Sequence, residues 1–221
     1  MRAPMKWNER DAFALTLLTP FLAPRTPLTA WSLCPSAIVA VANATDFLPV
    51  PTDSHGYKRE HIVLELGGGA SSLILGRRMR AADEGALVAV ESDAGAAQRL
   101  ERWSREEMLP IEVVHAPIVE RPGTTPWYEL AAIERALGDE RPSVLVVDGP
   151  VGFLAPRARM PALELLPRLA EHAAVLLDDT DRADEQALLV AMREALPGWT
   201  WQQSDGVFAI GVTPGVFVPT L

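Results

Sequence analysis

The chain carries a single cysteine, Cys34, among 221 residues. One thiol cannot close an internal disulfide, and no Cys/His group has the spacing of a zinc site, so a reducing cytoplasm is the expected compartment. Positive charge is in deficit: 20 Lys plus Arg against 29 Asp plus Glu leave a net charge of −9. No Lys/Arg stripe of the kind that neutralises phosphates and releases counterions is present, which argues against broad nucleic-acid binding. Long apolar runs are missing as well. The longest stretch without charge, Thr26 to Thr45, is broken by Pro27, Ser32, Pro35, Ser36 and Asn43. A membrane-spanning helix needs about 20 predominantly apolar residues, so no span is expected. Residues Met1 to Asp11 mix Arg2, Lys6 and Arg10 with Glu9 and Asp11, which is not the grammar of a signal peptide.

With 48% hydrophobic and 22% charged residues, the chain has the composition of a globular protein able to bury a core of several layers. Two textures divide it. Residues 1–59 hold seven of the 19 prolines, so helices there must be short, and Glu9 to Leu18 and Ser36 to Thr45 are the candidates. This stretch reads as an N-terminal helical, proline-rich appendage, a lid or a dimer arm, with Trp31 and Phe47 as lid candidates. Residues 60–221 read as the main domain. Almost continuous apolar runs at His61 to Leu66, Ala86 to Val90, Ile111 to His115, Ser143 to Asp148 and Ala173 to Asp178 suit parallel strands buried on both faces. Helical patterns at Ser71 to Ala82, Ala94 to Met108, Pro126 to Leu137, Arg157 to Glu171 and Arg182 to Leu196 alternate with them. Trp199 to Gln203 and Val207 to Val212 are separated by only three residues, too few for a crossover, and so form an antiparallel hairpin. The expected fold is a Rossmann-like, doubly wound α/β sheet of seven strands with that hairpin at its end, in three αβα layers.

The strongest local signal is the run from His61 to Ser72, in which a strand carrying Glu65 enters the turn Gly67-Gly68-Gly69 and then a helix. Such a turn lets backbone approach a ligand, and a helix N-terminus offers unpaired N–H groups to an anion. A turn that only tightens strand-to-helix packing gives the same residues. A second acid, Glu91, closes the next strand ahead of Ser92 and Asp93. An acid there can accept both ribose hydroxyls of a nucleoside, whereas Asp93 suits the N-cap of the following helix.

These residues, in this order, resemble the class I S-adenosylmethionine-dependent methyltransferases over about residues 60 to 212. The resemblance implies that Glu65, Gly67, Gly68, Gly69 and Ser71 stand at the methionine part of the cofactor, with Ser71 replacing a frequent third glycine. It implies that Glu91, with Ser92, binds ribose. Many relatives carry an adenine-contacting acid after the third strand, where this chain has His115-Ala116-Pro117, so backbone near Ala116 is expected to take that contact.

Three more acids fall at strand ends: Asp148 after the fourth strand, Asp178 and Asp179 after the fifth. Ligands of open parallel sheets sit beyond the carboxyl ends of the strands, so these should converge beside the cofactor. Clustered carboxylates repel unless a cation or protons intervene, and oxygen ligands suit Mg²⁺ or Ca²⁺. The layout is similar to metal-dependent small-molecule O-methyltransferases, which would make Asp148, Asp178 and Asp179 ligands and Asp148 catalytic as well as cofactor-facing. Those enzymes use a lysine base where this chain has Val151. Without a metal, Asp148 would shape the pocket and Asp178 or Asp179 would bind the acceptor. Arg157 and Arg159 are expected to be solvated helix charges, with a fork for an acceptor carboxylate or phosphate as the alternative. Arg182 and Glu185 read as a surface pair or as supports of Asp179. His55 and Tyr57 read as a polar loop, and Trp127-Tyr128 as an aromatic core anchor.

The implied activity is methyl transfer from S-adenosylmethionine to a small-molecule acceptor, on oxygen with nitrogen as the alternative, in a chain that could pair as a homodimer. A nicotinamide-dependent oxidoreductase and a non-catalytic S-adenosylmethionine-binding module are the rival readings. The closing hairpin and Glu65 tell against the first.

Overall fold

The computed structural model describes residues 8–22, 26, 28, 32–52, 56, 58–204 and 207–220. In chain order its elements are α1 (Glu9–Leu22), α2 (Pro35–Phe47), β1 (Ile62–Leu66), α3 (Ala70–Ala82), β2 (Ala86–Glu91), α4 (Ala94–Glu106), β3 (Ile111–His115), β4 (Ile118–Val119), β5 (Trp127–Tyr128), α5 (Leu130–Leu137), β6 (Val144–Val147), a 3₁₀ helix (Met160–Arg168), β7 (Ala174–Asp178), α6 (Ala183–Ala195), β8 (Thr200–Ser204) and β9 (Phe208–Val212). Trp31, His55 and Tyr57 lie outside the described residues.

Seven strands form one sheet in the order β3-β2-β1-β6-β7-β9-β8. The first five are parallel, and β9 runs antiparallel to both β7 and β8. The expected terminal hairpin is therefore present. Alternate residues of each strand feed two separate cores: Val63, Val144 and Leu176 pack with Ile38, Val41 and Ile74 on one face, while Leu64, Leu145 and Leu177 pack with Ile133, Leu165 and Leu188 on the other. Burial on both faces is why the strands are almost continuously apolar. The chain winds outward from β1 to β3, then returns to place β6 on the other side of β1. The order reverses between β1 and β6, and a crevice opens there at the carboxyl edge.

Within residues 1–59, α2 shares the core of the sheet, with Ala37, Ile38 and Val41 fully buried. Asp11 of α1 is buried and accepts hydrogen bonds from Ser36 N (3.2 Å) and Ser36 Oγ (2.7 Å), which joins α1 to the first turn of α2. A carboxylate there also meets the positive end of the α2 dipole. Phe47 ends α2 and is 54% exposed.

Two expected helices are different. Pro126 to Leu137 splits: Trp127 and Tyr128 form β5, pairing with β4 through Ile118 and Val119, and the helix starts only at Leu130. Aromatics suit a half-buried strand better than a first helical turn. Arg157 to Glu171 is no α-helix but a 3₁₀ helix from Met160 to Arg168 between turns. Pro161 and Pro167 contribute no N–H to an i to i−4 ladder, which shortens what the apolar spacing alone suggests.

Candidate functional site

A cavity of about 720 Å³ opens at the crevice, between the glycine turn that follows β1 and the segment that follows β6. Leu66 joins its two walls: its carbonyl accepts from both Asp148 N (3.0 Å) and Gly149 N (2.7 Å).

On the first wall, Gly67 N and Gly68 N donate to Val90 O (2.9 and 3.0 Å), pulling the turn toward β2. Gly67 adopts φ +97°, and a Cβ on it would stand 2.9 Å from Gly149 N. Both the left-handed backbone and the neighbouring chain demand glycine. Gly67→Ala should lower stability by roughly 1–3 kcal/mol, read as a drop in the urea midpoint at unchanged slope. Behind the turn, Glu65 is fully buried. It accepts hydrogen bonds from Ser71 Oγ (2.5 Å) and Ser72 Oγ, and Ser72 Oγ in turn accepts from Gly69 N (2.9 Å). Ser72 thus ties the turn to the acid, and Ser71, standing where the resemblance expects a third glycine, gives the acid its second hydroxyl donor. Burial pushes the Glu65 carboxyl up to about 7; the two hydroxyls oppose the rise and the charge of Glu91 adds to it.

Glu91 stands at the end of β2, its Oε1 fixed by Asp93 N (2.8 Å) and Ser92 Oγ (3.3 Å). Asp93 caps α4 through Ala96 N, as expected. Gly67, Gly68, Gly69, Ser71, Glu91, Ser92 and Asp148 all line the cavity. Ala116 is fully buried, its N–H donates to Glu91 O (2.9 Å), and it is not among the lining residues. Instead α4 presents Ala96, Arg99, Leu100 and Trp103 to the cavity. Their i, i+3, i+4, i+7 spacing marks one helix face, a signal the sequence held without saying what that face meets.

The second wall holds the acids. Asp148, Asp178 and Asp179 each offer a carboxylate oxygen, and these oxygens lie within 4.8 Å of one another. Asp148 and Asp179 line the cavity, whereas Asp178 stands behind them, 3% exposed. Asp179 has a left-handed backbone (φ 59°), uncommon outside glycine. Arg159 is the residue sequence reasoning misjudged. Far from being solvated, it is 4% exposed and lies among the acids. Its Nη2 is 3.0 Å from Asp179 Oδ2 and 3.4 Å from Asp148 Oδ1, its Nε donates to Pro150 O (3.1 Å) and its Nη1 to Asp178 O (3.3 Å). Glu185 Oε1, also buried, is 3.8 Å from Arg159 Nε. Arg182 Nη1 reaches Asp179 Oδ2 at 2.8 Å, so Arg182 supports Asp179 directly, while Glu185 Oε1 stands 3.8 Å from Arg182 Nη1 and acts on Asp179 only through the two arginines. Arg157 is exposed, as expected, and its N–H donates to Asp184 (2.8 Å).

Tyr128, buried in β5, lines the cavity from below, and a Cβ on Gly149 would stand 2.1 Å from its hydroxyl oxygen. Burial holds this hydroxyl above its ordinary pKa, with the charges of Glu91, Asp148 and Glu65 acting the same way and Arg159 against. It is therefore an O–H donor at neutral pH. Trp127 packs edge-to-face on Tyr128 at 5.6 Å. Val151 and Phe153, 46% and 78% exposed, form an apolar rim.

A divalent cation fits the acids poorly. Mg²⁺ binds carboxylate oxygens at about 2.0–2.1 Å and Ca²⁺ at about 2.3–2.6 Å. An ion touching both Asp148 Oδ1 and Asp179 Oδ2 would meet the guanidinium that already lies 3.4 and 3.0 Å from those atoms. Two cations would then share one buried site.

A methyltransferase-domain family matches residues 64–180, more than half of the chain. No curated protein matches it. Among solved structures, a Klebsiella pneumoniae protein provisionally assigned as an O-methyltransferase superposes with a TM-score of 0.54 at 15% identity, over 96% of this chain and 92% of that one. The O-methyltransferase from Bacillus cereus, solved with S-adenosylhomocysteine, gives 0.52 at 14% identity over 95% and 92%. The Thermus thermophilus 16S rRNA N2 G1207 methyltransferase, solved with S-adenosylmethionine and guanosine, gives 0.52 at 16% over 84% of this chain and 45% of that one. These likenesses concern the fold and span different acceptors.

Proposed function

Because the chain belongs to the methyltransferase-domain family and is a class I S-adenosylmethionine-dependent methyltransferase, we propose that its acceptor is a small molecule methylated on oxygen. One observation carries this reading: a single cavity has the glycine turn and Glu91 on one wall and Asp148 on the other. In this reading Glu91 and Ser92 take the ribose hydroxyls, and Gly67, Gly68, Gly69 and Ser71 approach the methionine part, with Glu65 braced behind them. The acceptor enters past Val151 and Phe153, where apolar surface is offered. The cavity volume falls among sites for small ligands, and the net charge of −9 without a basic stripe disfavours a nucleic-acid acceptor. Oxygen as the methylated atom is supported by the O-methyltransferases among the structural neighbours and by a carboxylate placed to receive a hydroxyl proton.

Methyl transfer from a sulfonium gains mainly from proximity and alignment. The S–CH₃ bond breaks as the O–CH₃ bond forms, leaving S-adenosylhomocysteine and the methyl ether, and the hydroxyl proton passes to Asp148. No divalent cation enters this scheme. Ser32, just before α2, lines the cavity and would help to close it. No helix among the described residues is long and apolar enough to cross a membrane. The cytoplasm suits the one cysteine, whose thiol is buried and pushed up to about 12 by that burial.

Calorimetric titration with S-adenosylhomocysteine should show one site per chain, weakened by Glu91→Ala, and methyl-labelled S-adenosylmethionine should label a hydroxylated small molecule from a metabolite extract. Binding without any methylated product would favour the non-catalytic module. Labelling of RNA alone would overturn the small-molecule reading.

A further inference from the structure

We propose that Arg159 is a built-in cation that holds the carboxylates of the site in place of a divalent metal ion, so that the site operates metal-free. The proposal rests on the reading that this cavity holds the methyl donor and acceptor, and it concerns how the acceptor wall is charged. The feature to be explained is a set of acids that would repel one another if left alone: Asp148, Asp178, Asp179 and Glu185, gathered at the ends of β6 and β7 and the first turn of α6. A metal would compensate them through coordination bonds of fixed length. The guanidinium does so through directional N–H donors, and its geometry suits the task. It is planar, permanently charged and carries five donors in a fork.

Those donors are spent across both strand ends. Nη2 spans Asp148 and Asp179, Nη1 takes the Asp178 carbonyl, and Nε takes the Pro150 carbonyl with Glu185 beside it. One side chain therefore fixes the Asp148 carboxylate relative to Asp179, the spatial relation a bridging ion would otherwise impose. The side chain is 5% exposed, so this charge neither exchanges with solvent nor answers to chelators. Arg182 clamps Asp179 from the rim at 2.8 Å. The left-handed backbone of Asp179 turns its carboxylate into the reach of both arginines. Arg159 is in this sense a positioning residue: it acts on the acceptor through Asp148.

Mn²⁺ serves as the probe, because its paramagnetic signal reports binding to oxygen ligands without reference to any acceptor. Full-length wild-type protein, treated with chelator and titrated with Mn²⁺, should show no tight site by electron paramagnetic resonance, and its melting temperature should not change between excess chelator and excess Mn²⁺. Arg159→Met removes the charge and leaves the acids, and should raise Mn²⁺ affinity by about tenfold or more. Asp179→Asn in that background should remove the gain, since asparagine keeps the left-handed backbone but gives up the charge. Arg159→Lys, which retains a cation, should stay indifferent to Mn²⁺. A tight Mn²⁺ site in the wild type that Asp179→Asn abolishes overturns the proposal, and so does a folded Arg159→Met that gains none. If Arg159→Met folds only with Mn²⁺ present, the metal has replaced the arginine and the proposal stands. If it folds under neither condition, the wild-type titration and the lysine variant decide. S-adenosylhomocysteine binding, measured on the same samples, separates failure of this proposal from failure of the methyltransfer reading.

Discussion

Asp148→Asn should slow methyl transfer by about 10²–10⁴-fold, the range in which a positioned acid or base contributes. The affinity for S-adenosylhomocysteine should remain within about threefold of wild type, because the cofactor wall is built from the turn after β1 and from β2. Asparagine is the informative replacement. It keeps an oxygen for Arg159, now 3.4 Å from Oδ1, and removes only the capacity to receive a proton. Single-turnover transfer of labelled methyl, set beside calorimetric titration, separates the two quantities. Equal loss of rate and cofactor affinity would place Asp148 on the cofactor and leave the acceptor's proton without a taker.

A second large effect concerns Glu65. Its carboxyl is raised to about 7 in the folded chain by burial, against an ordinary value of 4.5 when unfolded. At the acid end both states hold the proton and the stabilisation is fully present. As pH rises from about 4.5 to 7 the unfolded chain releases its proton before the folded one does, and stability falls by roughly 3 kcal/mol, then levels off. Glu65→Gln abolishes this slope. The stability difference between variant and wild type, from urea unfolding at pH 5 and pH 8, should therefore move in favour of the variant by about that amount. A pH-independent difference would mean that Glu65 is ionised throughout. The same linkage makes binding of the positively charged cofactor strengthen with pH through about 7, because a cation nearby favours the carboxylate.

Much of the fold was legible because the strands obey one simple rule. A run such as Val144 to Val147, apolar at every position, has only one stable home, the middle of a sheet covered on both faces. The terminal hairpin was legible for an equally local reason: too few residues separate its strands for any other connection. The segments that misled are those where aromatic and proline residues compete with apolar spacing, as in Trp127-Tyr128 and between Pro161 and Pro167.

At the site, the gathering of the glycines and Glu91 on one wall was readable because residues at the ends of parallel strands meet at the carboxyl edge of the sheet. Ser71 was readable only as a departure, since nothing in a linear sequence shows its hydroxyl turning back to an acid six positions earlier. Arg159 was not legible. Its spacing from Arg157 and its place in the first turn of a helical-looking run gave a surface pattern, and only the return of the chain after β6 puts it among carboxylates up to 26 positions away. The sequence positions of those acids were plain, but what compensates them depends on a loop path that periodicity does not describe.

The carbonyl of Leu66 receives two amide protons from the opposite wall, and Gly149 is pressed between Gly67 and Tyr128. With the methyl donor and the acceptor on these two walls, as proposed, the spacing between them would be a property of main chain, insulated from whatever side chains ring the entrance. On that reading, substitutions at Val151 or Phe153 would retune which compounds are admitted without altering how far the methyl group must travel, and a lineage would change its diet while keeping the same stroke.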